Sequence, residues 1–464
     1  MNILSRGTVK ISRLIQNYCK VKEIGSQRLR SKTDMELKYR EDPVVIKLDT
    51  PEFKNIFTQE VLDLKNLFEK YRYEIRIAGG AVRDLLMGKQ PKDLDFATTA
   101  TPQELKEMFT KENIRMINMS GEKHGTITPR INDKENFEVT TLRVDVITDG
   151  RHAEVEFTKD WKLDANRRDL TINSMFLGFD GSVYDYFFGY EDLKNKRVAF
   201  VGDADIRIKE DYLRIMRYFR FYGRIADQPD KHDENTLKII KNNANGLQNI
   251  SGERIWMELK KTLQGNFAGE LLKTMLNVDI GKYIGLPNPN IEELDKLLKR
   301  SQHLGLHPMS YLAALLNDMD AVTLVHSRLK FSGYERDMAY FLVEHRGEHE
   351  ENSTRPLLFY EKLILKTKMK QKDAVEYTRE LLKYKGDETL LQLFVKWDIP
   401  RFPMNGKILK DNGVPPGKMY GPIINKLKDI WIENDYKQTA EDLVKLIPNI
   451  IEEFERQNKI RCNR

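Results

Sequence analysis

Two textures share this chain, and the change between them constrains its fold more than any other feature. From Pro43 to about Phe188, short apolar strands alternate with helical periodicity; beyond Ala204 the patterns are helical, with connectors and few strand-like runs. A period of two and a period of 3.6 bury different faces. The sequence therefore predicts a mixed-sheet domain followed by an all-helical array, with the boundary near residue 190. A length of 464 residues is in any case too much for one ordinary core.

Within the first part, residues Phe53 to Tyr71 form an expected helix, with Phe53, Ile56, Phe57, Val61, Leu64 and Phe68 on one side. Ile75-Arg76-Ile77-Ala78 is a short strand that runs into Gly79-Gly80, and Val82 to Met87 begins a helix. Asp95-Phe96-Ala97 is a strand. Thr101-Pro102-Gln103-Glu104 carries a capping residue, a proline at the first helical position and an early acid, the signature of a helix start. Gly125 to Thr128 and Phe137 to Leu142 are β-rich, and Thr148 to His152 reads as a polar loop. In the second part, Glu210 to Tyr222 is a helix dense in arginine and aromatics.

Composition narrows the class. Charged residues make up 32% and the net charge is +6, a mild basic excess that fits a nucleic-acid partner. Two cysteines, Cys19 and Cys462, give neither a disulfide framework nor a metal-ligand spacing. No apolar run is long enough to span a bilayer, so no membrane association is expected. At the start, Arg6, Lys10, Arg13, Lys20 and Lys22 all precede the first acid, Glu23, with Ile11, Leu14, Ile15 and Tyr18 at helical spacing between them. That is the pattern of a mitochondrial presequence; a disordered basic arm is the alternative. Initiation at Met35 would remove the segment and leave a cytosolic or nuclear form.

The chemistry concentrates in four short stretches. Asp93-Leu94-Asp95, if on a strand, directs two carboxylates to one face, and the repulsion between them is relieved by a hard cation such as Mg²⁺. Alone, such a pair is more often a solvated turn. Gly79-Gly80 ends a strand and opens a helix, where the backbone can approach a phosphate closely and unpaired N–H groups offer positive potential. Arg83, one turn in, can reach the same phosphate, or can pair with Asp84. A phosphate cradle followed by a carboxylate pair is the minimal equipment of a metal-dependent phosphoryl transferase. Glu138 is the candidate third carboxylate; the competing reading puts it on the solvent face of an edge strand. In Arg167-Arg168-Asp169-Leu170-Thr171-Ile172-Asn173, helical spacing would place Asp169 and Asn173 on one face, able to meet a ribose, with Arg168 free for phosphate. The alternative there is a capped helix start. Asp211 and Arg214 reach one side of the helix that starts at Glu210, and Arg214, Arg217 and Arg220 form a stripe beside Tyr218, Phe219 and Phe221, suited to phosphates and stacked bases.

In order and spacing, Gly79-Gly80-Ala81-Val82-Arg83-Asp84, Asp93-Leu94-Asp95, Arg167-Arg168-Asp169 and Glu210-Asp211-Tyr212-Leu213-Arg214 resemble the signature motifs of class II CCA-adding tRNA nucleotidyltransferases of the DNA polymerase β superfamily. The resemblance is close over about residues 40 to 225, and with the basic start it is similar to the animal mitochondrial type. It implies an α+β chain: a polymerase-β-like head with a mixed sheet over 41–190 behind a presequence or disordered 1–40, then an all-helical neck (191–265), body (266–360) and tail (361–464), the last two binding tRNA. It implies template-independent addition of CCA to the tRNA 3′ end from CTP and ATP, with Mg²⁺ on Asp93 and Asp95 and no obligate protein partner. By the same resemblance, Gly79, Gly80 and Arg83 hold the nucleotide's phosphates, Arg168 contacts the nucleotide and Asp169 its ribose with Asn173 nearby. Asp211 and Arg214 read the base, Arg217 and Arg220 support the pocket, and Asp145 to Phe157 is a flexible loop that switches the site from C to A. A poly(A) polymerase of the same superfamily and a catalytically silent tRNA-binding protein stay open as alternatives.

Overall fold

The computed structural model describes residues 39–117, 119–149, 152–286, 288–348, 355–415 and 417–462; the presequence expectation lies outside them. The described residues divide into two compact units, one formed by those up to 147 with 153–195 and 199–207, the other by those within 148–152, 196–198 and from 208 on.

The first unit holds the sheet. Its strands are β1 (Val44–Lys47), β2 (Ile75–Ala78), β3 (Asp95–Thr98), β4 (Arg115–Ile117), β5 (Thr126–Ile131), β6 (Glu135–Asn136), β7 (Glu138–Thr141), β10 (Phe176–Leu177) and β11 (Ser182–Tyr184), with β8 (Arg143–Asp149) and β9 (His152–Phe157) as a separate pair. The order across the nine-stranded sheet is β1-β11-β10-β2-β3-β7-β5-β4, with β6 on β5. Its one parallel pairing among the described strands joins β3 to β7, with Asp95 opposite Glu138 and Phe96 opposite Val139. Two strands that run the same way start at the same end, so the register places two acidic residues side by side where both strands begin. Beneath them, Phe96, Val139 and Phe137 are fully buried, and the rings of Phe96 and Phe137 meet edge to face at 5.5 Å.

The expected helix over Phe53 to Tyr71 is two helices, Pro51–Lys54 and Gln59–Lys70. Thr58 interrupts it: its hydroxyl accepts from the Val61 amide and starts the second helix afresh. Phe53, Ile56, Val61, Leu64 and Phe68 are buried as the pattern requires. Thr101 caps helix Pro102–Lys111 through a reciprocal bond with Glu104, an arrangement worth about 1 kcal/mol. The polar stretch from Thr148 to His152 is shorter as a loop than its composition suggests. Thr148 and Asp149 finish β8 and His152 opens β9, because the β-branched run from Val144 to Thr148 continues the strand; residues 150 and 151 lie outside the described residues.

The second unit is helical. Helix Leu213–Ile225 packs along helix Gly252–Leu263, with Ile215, Met216, Phe219, Ile255 and Leu259 fully buried. Gly252 comes so close to the next segment that a methyl group there would lie 1.8 Å from the Arg328 carbonyl oxygen. Toward the C-terminus a separate core gathers Leu409, Ile423, Leu427, Trp431, Ile432 and Leu443. Among the described residues no helix is long and apolar enough to cross a membrane. The mixed sheet followed by helices is the fold class the two textures predicted.

Candidate active site

The site begins where β2 meets helix Gly80–Leu86. Gly79 has φ +67°, a conformation nearly closed to other residues, and a methyl group on it would lie 3.3 Å from Arg168 Nη1. The two motifs are thus adjacent in space although far apart in sequence, and a side chain at Gly79 would press on Arg168. Arg83 is buried, 5% exposed. Its Nε and Nη2 donate to Asp84 Oδ1 at 3.0 and 2.8 Å, and its Nη1 donates to Asn173 Oδ1 at 2.6 Å. The Asp84 pairing weighed against a phosphate role is therefore present, and a second bond ties the arginine to another motif. Because Arg83 can only donate, it fixes which end of the Asn173 amide faces it. The Asn173 Nδ2 is then a buried donor without a hydrogen-bond partner among the described residues.

Arg168 is held just as firmly. Its Nε and Nη2 donate to Asp164 Oδ2 at 3.1 and 3.0 Å, its Nη1 donates to the Asn173 carbonyl at 3.3 Å, and its guanidinium lies 4.7 Å from the Phe176 ring centroid. Asp164 also receives Arg167 and the Arg143 amide. Burial opposes its charge, but Arg168 and Arg167 outweigh burial and hold the carboxyl below its ordinary value. The motif reading missed Asp164, although its spacing of three and four residues to the two arginines signals it. Asp169 and Asn173 do not share a helix. Helix Trp161–Asn166 ends first, Asp169 lies in a bend, and only Thr171–Asn173 winds into a single 3₁₀ turn. The helix stops because Leu170 bridges to Phe200 and the Asp169 carbonyl accepts from the Val201 amide, which straightens the chain. Both side chains are still buried.

The carboxylates sit at the start of β3 and β7. The strand begins at Asp95, as expected, and Asp93 lies just before it: Pro91, two residues earlier, and the bend at Lys92-Asp93 keep Asp93 out of β3, so strand alternation does not align the two carboxylates. Glu138 is not on an edge strand either, since β7 lies between β3 and β5. Asp95 reaches solvent, yet enough protein crowds it that its carboxyl is pushed above its ordinary value, chiefly by loss of water, then by Glu138 and Asp93, with Arg168 acting the other way. Among the described residues no three acidic, histidine or cysteine side chains converge as a ready-made metal site. Two carboxylates whose repulsion is relieved by a cation, with a third beside them, fit Mg²⁺, which usually takes one or two carboxylates and completes its shell with water and phosphate oxygens.

The base-reading candidates lie in the second unit. The expected helix from Glu210 breaks at Asp211-Tyr212, between helices Ala204–Glu210 and Leu213–Ile225. Asp211 causes the break: its Oδ1 accepts from the Leu213 amide at 3.0 Å, a capping bond that competes with helix continuation. Its Oδ2 accepts from Arg254 Nη2 at 2.9 Å. Arg214 donates from Nη1 to Glu210 Oε2 at 2.5 Å. So Asp211 and Arg214 are neighbours by a backbone bond, Arg214 N to Asp211 O at 2.9 Å, but each side chain is steadied by a different partner. Arg220 donates to both oxygens of Glu258 at 3.1 Å, and Arg217 lies 5.4 Å from the Phe221 ring centroid. The stripe is half-buried rather than solvated. Arg254 and Glu258 come from a helix forty residues on, so no local spacing reveals them.

Comparison with known proteins fits this geometry. Residues 75–199 match the family described as Poly A polymerase head domain, and residues 231–294 match the one described as Probable RNA and SrmB- binding site of polymerase A. The Bacillus stearothermophilus CCA-adding enzyme solved in complex with CTP superposes with a TM-score of 0.67 at 23% identity, over 90% of this chain and 100% of that one. The Thermotoga maritima CCA-adding enzyme complexed with tRNA-CCA does so with a TM-score of 0.61 at 20% identity, over 89% and 99%. At such identities these two likenesses bear on fold. The human CCA tRNA nucleotidyltransferase 1, mitochondrial, is 51% identical over 405 residues, covering 87% of this chain and 93% of its own length. Identity at that level across nearly the whole of a relative carries more than fold, and the chain belongs to the CCA tRNA nucleotidyltransferases.

Proposed function

We propose that this chain completes the 3′ end of tRNA by adding C, C and A from CTP and ATP, with Asp93 and Asp95 as the ligands of Mg²⁺ and Glu138 as the third carboxylate. The observation that carries the assignment is the parallel register that sets Asp95 opposite Glu138 where β3 and β7 begin, with Asp93 near enough to raise the Asp95 carboxyl. When bound, Mg²⁺ orients the triphosphate, offsets its charge and favours the attacking terminal hydroxyl as alkoxide.

The remaining work falls to the chain. The Gly79-Gly80 backbone, Arg83 and Arg168 hold phosphates, and both arginines are already locked by Asp84, Asn173 and Asp164, so little side-chain freedom is lost on binding. Asp169 accepts from a ribose hydroxyl, and the partnerless Asn173 Nδ2 donates to the nucleotide. The base is read by polarity. C and A each present an exocyclic amine beside a ring-nitrogen acceptor. Asp211 accepts from the amine, and Arg214 donates to the ring nitrogen. U and G reverse both groups and leave the two charges unmatched, a mismatch worth roughly 10⁴-fold in favourable sites. Arg217 and Arg220 support this pocket, and the segment Asp145 to Phe157 adjusts it between pyrimidine and purine. We assign head, neck, body and tail as 41–190, 191–265, 266–360 and 361–464, and place the protein in mitochondria, as the human relative's name states of that protein, with initiation at Met35 as the source of a cytosolic or nuclear form.

The test is incubation of the purified protein with tRNA lacking its 3′ end, Mg²⁺ and the nucleotides singly and together. CTP alone should add two residues, CTP with ATP three, and extension should stop there. The head model's description names poly(A) polymerases, and a lengthening A-only product would favour that reading instead.

A further inference from the structure

We propose that a cationic cavity in the helical unit is a docking point for one backbone phosphate of the RNA substrate. The cavity has a volume of about 300 Å³ and is lined by Asn290, Glu293, Arg300, Arg346, Gly347 and Lys385. It lies among helix Ile291–Ser301, the end of helix Gly333–His345 and the end of helix Gln371–Lys385. Its size suits a small group rather than a whole macromolecular element, at the low end of the roughly 300–1,000 Å³ of ligand pockets.

Three cations and one carboxylate line it, and a second carboxylate, Glu348, is near enough to act on Lys385. Their partners explain why they are there without cancelling them. Arg346 donates to the carbonyls of Ala313, Leu316 and Asn317, which caps a helix end. Lys385 donates to the Glu348 carbonyl at 2.5 Å. Arg300 donates from Nε to the Tyr384 carbonyl and from Nη2 to Glu293, both at 2.7 Å. Five of these six partners are carbonyl dipoles, which orient a cation but carry no formal charge. The one carboxylate, Glu293, is engaged at the same oxygen by Arg300 and by the Tyr384 hydroxyl. Burial pushes the Lys385 ammonium below its ordinary value, with only Glu348 acting to hold it up, the mark of a desolvated cation short of an anion. Among the described residues, Arg300 donates from Nε and Nη2 and makes no hydrogen bond from Nη1. Pre-oriented guanidinium and ammonium groups in an open, half-buried hollow match a phosphodiester better than a carboxylate or a base edge.

This inference rests on tRNA being the substrate, and the test separates the two claims. Gly347 has nothing within 4 Å of where a Cβ would stand, so charge can be introduced at the mouth without removing any contact. Using the full chain and 3′-truncated tRNA, Gly347→Asp should weaken binding and Gly347→Lys strengthen it, each about three- to tenfold, while Gly347→Ala changes nothing. Lys385→Met should lower the log–log salt slope of binding by about one, the mark of one lost phosphate contact. CTP addition at saturating tRNA should keep its kcat in all four. Equal affinities for the Asp and Lys variants would overturn the docking point while leaving CCA addition intact. So would inorganic phosphate that protects the protein thermally, saturably and by way of Lys385, with no change in tRNA affinity, since that describes a free-anion site. Absence of any CTP addition by the parent would instead remove the functional reading.

Discussion

Neutralising Asp95 should make the metal-free protein more stable and catalytically dead, and the size of both effects follows from the sheet. Asp95 and Glu138 are cross-strand partners, with Asp93 adding to the repulsion. Like charges directly opposite are destabilising by the same order as favourable pairs are stabilising, roughly 0.2–1 kcal/mol. Both side chains reach solvent, so screening pulls the expectation toward the lower half of that range. Asp95→Asn keeps the volume and removes the charge. For a unit of this size the metal-free melting temperature should rise by ~0.5–3 °C. Mg²⁺ at ten times its Kd should stabilise the parent by ~1.4 kcal/mol, or about 3–6 °C, and the variant by far less. Calorimetry with and without Mg²⁺, alongside CTP incorporation, reads all three quantities. A variant that melts lower than the parent without metal, or that gains as much from Mg²⁺, would refute the view that this trio is arranged to hold a cation.

Asp211→Ala should lower C and A incorporation while admitting UTP or GTP, because it removes both the acceptor for the amine and the repulsion against a carbonyl; competition among four nucleotides on one truncated tRNA checks it, and a uniform loss would make the residue structural. Gly79→Ala should cost ~1–3 kcal/mol, since φ +67° is strained for alanine, and should depress both C and A addition by pressing on Arg168 3.3 Å away, which denaturant melts and single-nucleotide assays measure. His232 stacks on Tyr222 at 3.7 Å, and burial pushes its imidazole from 6.5 down to about 4. The fold thus prefers the neutral ring, and stability is lost as pH falls from about 6.5 toward about 4. His232→Phe should flatten that acid arm in pH-dependent urea titrations while costing about 1 kcal/mol at neutral pH, because the hydrogen bond between the Tyr218 hydroxyl and His232 Nδ1 is lost; an unchanged arm would point to other groups.

How much of this was readable beforehand depends on whether the cause was local. The Thr101 cap, the β2 strand and the turn at Gly79-Gly80 follow from residues within a few positions of one another, and they stand where the sequence placed them. Glu138 shows the limit. Its strand was evident from Val139, Thr140 and Thr141, but whether that strand lay at an edge depended on pairing with β3 and β5, segments from elsewhere in the chain. Helix ends failed for a different reason. Thr58 and Asp211 sit inside unbroken helical periodicity, and only a side chain that accepts from a backbone amide two or three residues on divides the run. Polar caps are weak signals within an apolar stripe, so periodicity alone predicts both helices as continuous.

The break at Asp211 also bears on how a protein side chain can stand in for a template. Within a continuous helix, an aspartate three residues before an arginine would pair with it, and the two reading groups would satisfy each other. Here Asp211 precedes the helix and turns one oxygen to the Leu213 amide and the other to Arg254, while Arg214 turns to Glu210. Each oxygen of the Asp211 carboxylate can accept a second hydrogen bond. The helix break therefore gives Asp211 and Arg214 separate supports, Arg254 for the carboxylate and Glu210 for the guanidinium. If Asp211 and Arg214 read the base as proposed, Glu210→Gln or Arg254→Met should erode base choice as loss of a reader does, measured by competition among the four nucleotides on one truncated tRNA; an unchanged nucleotide ratio in both variants would make these supports irrelevant to selection.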